Sequence, residues 1–166
     1  MYRVATQWLL QTASVLVCEV TRQMSGIRLS NASAPEQPSN EVVDTIAGYA
    51  GDDHAIQILL RAERRMLYRF AQNMLGEEPA DEEEVADFAK ELFNVIGGRF
   101  ISEVHRLSKT RTRMTPPAHY PHGRQHELML YEPLVTLHFA SECGERVEFC
   151  WSKQPIDTLL IKEREA

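Results

Sequence analysis

The sequence predicts an α+β sandwich, a largely antiparallel sheet packed by long helices. Three observations point there. The elements run helix, strands, two helices, strands. The strands come as neighbours joined by short turns, the signature of hairpins. Neither a repeat nor a composition shift divides the chain, so a single domain over residues 1–166 is expected, with its core at about 5–152 and a tail at 153–166.

In chain order, Trp8, Leu9, Thr12, Val15, Leu16 and Val20 recur at helical spacing within residues 2–24, and Gly26 closes that helix. Ile27 to Leu29 open a short strand, and the stretch from Asn31 to Asn40 is an aperiodic loop. Val42 to Tyr49 and Ala55 to Leu60 read as a hairpin around Gly51-Asp52-Asp53. A helix follows from Ala62 to Leu75, with Gly76 placed just past its end. Asp81 caps the next helix, Glu84 stands three residues on, and Glu82 and Glu83 favour the positive end of its dipole. That helix runs to about His105. Ser108 to Gly123 is then a polar, proline-bearing connection, and Glu127–Tyr131, Val135–Ala140 and Arg146–Trp151 read as strands, with Gly144 in a turn. Residues 156–166 form a short helix or a frayed tail.

Composition narrows the function. The net charge is −6, from 18 basic and 24 acidic side chains, and such a domain repels a phosphate backbone, so no nucleic-acid partner is expected. Arg61, Arg64, Arg65 and Arg69 read as a solvated helix face rather than a basic patch. Cys18, Cys143 and Cys150 show no Cys-x-x-Cys spacing, so reduced cysteines are expected, although Cys143 and Cys150 flank a turn and could lie across a hairpin. The apolar run Ala13 to Cys18 is too short for a membrane span or a secretory signal, so the reading is a cytoplasmic protein with no membrane partner. His119, His122 and His126 have ligand-like spacing, but Pro116, Pro117, Pro121 and Gly123 argue for a loop, and no metal site is expected.

The helix from Asp81 carries the chemistry. At about 100° per residue, Phe88, Ala89, Leu92, Phe93, Ile96 and Phe100 share one broad apolar face. Asp87, Glu91, Asn94 and Gly98 fall within about 60° of arc on the opposite side, with Gly97 at its rim. Any amphipathic helix has a polar face, so this stripe could be only a solvated one. Asparagine is a mediocre helix former and paired glycines cost helix stability, so an ordinary exposed face would avoid both. Small residues there make sense where another backbone comes close.

The run Asp87-Phe-Ala-Lys-Glu91-Leu-Phe-Asn94-Val-Ile-Gly-Gly98, followed after 22 residues from Asn94 by Pro117, resembles the signature of the CheC, CheX and FliY chemotaxis phosphatases. Met74-Leu75-Gly76 and Met114-Thr-Pro-Pro117 resemble the family's flanks, and the similarity extends loosely over residues 5–152. The resemblance implies hydrolysis of the aspartyl phosphate on a CheY-like response regulator. Asn94 would orient the attacking water and Glu91 would pair with a lysine of the regulator. Asp87, Gly97, Gly98 and Pro117 would serve docking, Asp87 as part of the surface and Pro117 by shaping the connection after the helix. No cofactor of its own is implied, because Mg2+ would arrive with the regulator. CheC and FliY types carry the motif twice; here the first helix offers Gln11 and Ser14 at the equivalent spacing. The resemblance is therefore CheX-like, with one active site per chain and a homodimer implied. The rival reading is a noncatalytic response-regulator-binding or signalling module of the same fold. The intact Glu91 and Asn94 weigh against it.

Overall fold

Alternation along the strands gives the sheet one face for the helices and one for polar pairs. The computed structural model describes residues 2–37, 39, 41–52, 54–121 and 134–165. In chain order these are α1 (Tyr2–Ser25), β1 (Leu29–Asn31), β2 (Val42–Ala50), β3 (Ala55–Glu63), α2 (Arg64–Leu75), α3 (Glu82–Ser108), β4 (Arg113–Met114), β5 (Ala118–Tyr120), β6 (Leu134–Ser141), β7 (Arg146–Ser152) and α4 (Lys153–Glu165). The sheet order is β1-β6-β7-β3-β2-β4, with β5 also on β2, and its ladders are antiparallel. This is the expected α+β class. No helix among the described residues is long and apolar enough to cross a membrane.

Val43, Ala47 and Tyr49 of β2, Ile56, Ile58, Leu60 and Ala62 of β3, and Val147, Phe149 and Trp151 of β7 share one core with residues of α1, α2, α3 and α4. Phe100 of α3 ties that helix to β7, its ring 5.4 Å from Phe149 and 4.8 Å from Trp151. Aromatic pairs at such distances add specific geometry to simple burial. Ile156, Leu159 and Leu160 of α4 are buried in the same core. Residues 153–165 are thus a packed helix and not a tail. Pro155 does not forbid it, because the first turn of a helix lacks partners for its N–H groups anyway.

The connection after α3 is also more ordered than expected. β4 pairs with Tyr49 and Ala50, β5 pairs with Asp44 to Ile46, and Thr115 exchanges hydrogen bonds with Gly48 between them. From Ile46 to Tyr49 β2 advances three residues while its partner covers the four from Ala118 back to Met114, which makes a β-bulge at Pro116-Pro117. Proline suits an edge strand with a bulge, since it has no ladder donor to lose. The expected strand Glu127–Tyr131 lies outside the described residues.

The four arginines do not form one solvated helix face, since only Arg65 is exposed. Arg61 stands in β3 and meets Asp44 through two hydrogen bonds of 2.6 and 2.7 Å, with Glu148 at 3.9 Å. Arg64 holds Glu82, and Arg65 holds Glu63. Cys150 stands opposite Leu59 and Thr136, so it does not face Cys143 across a hairpin.

Arg69 staples the β6–β7 turn to α2, donating to Glu145 at 2.6 and 3.0 Å and to Glu142 at 2.9 Å. Burial raises the Glu145 carboxyl, but hydrogen bonds from Arg69 and Ser141 outweigh it and hold the group below its usual 4.5. A depressed carboxyl stabilises the fold above its unfolded value and loses that contribution as pH falls through the folded one. Thermal unfolding at stepped pH should therefore show stability declining below about pH 4.5, and Glu145→Gln should blunt the decline. An identical acid limb in the variant would remove Glu145 as its source.

Candidate docking and catalytic face

The start of α3 is fixed by its own sequence. Asp81 Oδ1 accepts from the Glu84 N–H at 2.9 Å, and Glu84 Oε2 accepts from the Ala80 N–H at 2.7 Å. Glu82, Glu83 and Glu84 fill the first turn. Together these satisfy donors that the helix cannot and complement its dipole. With Ala89, Leu92, Phe93, Ile96, Phe100, Ile101 and Val104 buried beneath, the opposite side is held at a fixed rotation toward solvent.

That side presents Asp87 and Glu91 exposed, and Asn94 and Gly98 half-buried. The Asp87 carboxylate lies 3.8 Å from Lys90 Nζ, a solvated pair of small energetic weight. The carboxylate of Glu91 meets no hydrogen-bond or ion-pair partner among the described residues. Asn94 Oδ1 is buried and has no hydrogen-bond partner among the described residues. A Cβ added at Gly98 would meet nothing within 4 Å, so the backbone there is open to approach.

Gly97 belongs elsewhere. It is buried, and a Cβ added there would stand 2.9 Å from Tyr49 Oη. Its smallness serves the contact between α3 and β2, not the approach of a partner. Pro117 is half-buried on the edge-strand bulge, a position that fits the shaping of the connection.

β5 runs beside the stripe. His119 shares a hydrogen bond of 3.2 Å with Thr45. Its pKa is lowered by burial first and then by the nearby charges of Lys90 and Arg64, with Asp44 and Asp87 opposing. His119 is thus a neutral neighbour of Asp87. His122 and His126 lie outside the described residues, and among the described residues no group of three or more His, Cys, Asp or Glu could hold a metal ion. An apolar hollow of about 290 Å³, lined by Val43, Leu67, Tyr68, Val85 and Ala86, opens next to His119 at the N-terminal end of the stripe.

On α1 the equivalent positions are otherwise used. Gln11 is exposed, and Ser14 Oγ donates to Asn31 Oδ1 at 2.7 Å, which ties α1 to β1. Sequence spacing found Glu91 and Asn94 but missed Tyr49 and His119 as neighbours of the stripe, because both come from β2 and its edge. Only the β-pattern around Tyr49, read together with Gly97, signalled a close approach.

Taken together, one helix face offers an amide and a carboxylate that no other described residue engages, beside open backbone. Such a face can receive a charged group carried by another macromolecule.

A family model described as chemotaxis phosphatase CheX matches residues 39–140. The fold is similar to the crystal structure of the chemotaxis protein CheX from Vibrio vulnificus, at 20% identity and TM-score 0.68 over 86% of this chain and 98% of that one. It is also similar to the chain in a CheX–CheY–BeF3–Mg2+ complex from Borrelia burgdorferi, at 21% identity and TM-score 0.66 over 86% and 96%. Thermotoga maritima FliY matches at 15% identity and TM-score 0.62 over 90% of each chain. No curated protein sequence matches.

Proposed function

The chain belongs to the chemotaxis phosphatase CheX family, and from that premise we propose that it hydrolyses the aspartyl phosphate of a CheY-like response regulator docked on the α3 face. The observation that carries the reading is Asn94, a carboxamide on the working stripe whose oxygen has no partner among the described residues. The Borrelia burgdorferi relative was crystallised with CheY, which supports a regulator as the partner.

The chemistry asks little covalent work of the protein. Water attacks phosphorus, the P–O bond to the acyl oxygen breaks, and the regulator's aspartate leaves as a carboxylate that needs no proton. Inorganic phosphate carries away the proton of the water. Catalysis is then mainly placement of the water in line with that bond. A carboxamide suits the task because it offers donors and an acceptor and stays neutral beside phosphate. Asn94 orients the water, and Glu91 pairs with a lysine of the regulator to set the docking register. Asp87 extends the surface and Gly98 admits the partner's backbone. Magnesium, carried by the regulator's own carboxylates, supplies charge neutralisation. The same premise implies a homodimer.

The test is the decay of labelled phospho-regulators from the same genome with substoichiometric protein. Decay faster than the regulator's own, over many turnovers per chain, is expected. Glu91→Ala should raise KM by about tenfold while kcat holds, because it removes a docking charge. One-to-one binding with no acceleration of any regulator would instead establish the noncatalytic module.

A further inference from the structure

Two buried polar atoms associated with α3 lack a hydrogen-bond partner, Asn94 Oδ1 and Tyr49 Oη. Buried polar groups are nearly always satisfied, so each of these atoms calls for a reason. Gly97 relates them. Tyr49 Oη lies 2.9 Å from where a Gly97 Cβ would stand. Asn94 and Gly97 are neighbours at i and i+3 on one side of the helix, with about 5–6 Å between their Cβ positions. The Phe93 ring comes within 3.7 Å of the same point, so the wall beside the hydroxyl is apolar.

We propose that Tyr49 is a positioning residue for Asn94. Its hydroxyl donates toward the inward carboxamide oxygen across one bridging water, which turns the amide nitrogen outward to the attacking water. The inference rests on the phosphatase reading for its consequence. A water needs at least two polar partners to be held in a buried place, and these two atoms supply them. Burial pushes the Tyr49 pKa up to about 12, so the hydroxyl remains a donor at every working pH. The ring is held in turn by the ladder, Tyr49 pairing with Ile56 on one side and Met114 on the other. An amide free to swing spends part of its time misaligned, and a rigid second residue behind it removes that freedom. Gly97 then has a function without touching the partner, since any side chain there would occupy the approach of the hydroxyl.

Tyr49→Phe removes the hydroxyl and nothing else. The first readout needs no regulator: the side-chain amide resonances of Asn94 in 15N-labelled protein, assigned by their disappearance in Asn94→Ala. The second is turnover of a phosphorylated regulator, with Tm as the control for folding. We expect the Asn94 resonances to move, Tm to hold or fall by a few degrees, and kcat to fall about tenfold at unchanged KM. Unmoved resonances overturn the inference whatever the activity. Moved resonances with full kcat overturn it too, because the contact would then be structural. If the wild type accelerates no regulator while the resonances move, the link between Tyr49 and Asn94 stands and it is the phosphatase reading that fails.

Discussion

Asn94→Ala should give a folded protein that still binds its phosphorylated regulator but no longer hastens its decay. The amide does one thing in the proposed reaction, so kcat should fall by about 100-fold or more while KM stays near the wild-type value. That corresponds to about 3 kcal/mol of transition-state stabilisation. Stability should move the other way. Alanine is the better helix former, and the Asn94 oxygen makes no direct hydrogen bond among the described residues that the change would break. Tm should therefore hold or rise while activity disappears. Phosphate release under single-turnover conditions, paired with thermal unfolding, separates the two. A variant that loses activity only because it melts early, or one that keeps more than about a tenth of kcat, would remove Asn94 from the reaction.

Arg61→Ala should be the most damaging of the simple surface-to-core changes. Asp44 is fully buried at 0% exposure, and Arg61, itself only 11% exposed, reaches both of its oxygens. Removing one partner leaves a buried charge uncompensated, which costs about 3–5 kcal/mol. For a chain of this size that is a loss of about 6–20 °C in Tm. Arg65→Ala makes the control, because Arg65 is 61% exposed and pairs with Glu63 at the surface. It should barely register. Equal losses in the two variants would mean that the Asp44–Arg61 pair is solvated and does not hold the outer face of the sheet.

Much of this was legible before any coordinates. Asp81, Glu84 and the three glutamates mark where α3 begins, because capping is a local matter and its chemistry sits within a few residues. The hairpin of β2 and β3 was legible for the same reason, although β3 runs to Glu63, beyond its expected end at Leu60. Glu91 and Asn94 were found because both lie on one helix, where spacing alone decides which residues share a face. Gly97 was misjudged. Its angle puts it at the margin of the polar stripe, and what decides its burial is Tyr49, which arrives from a strand about fifty residues earlier. The strands β4 and β5 were illegible since two or three residues beside a pair of prolines carry no periodicity. They exist because β2 offers an edge. The helix α4 was left open between order and fraying, as only its contact with the shared core resolves the choice.

The hydrogen bond from Ser14 to Asn31 on α1 has a consequence for how the protein meets its partners. A chain with the motif on two helices could hold two regulators at once and so act as a crosslink. Here the second position is spent on the chain's own framework. Under the proposed function each copy would then be monovalent toward regulators, and the valency of any assembly would equal the number of chains in it.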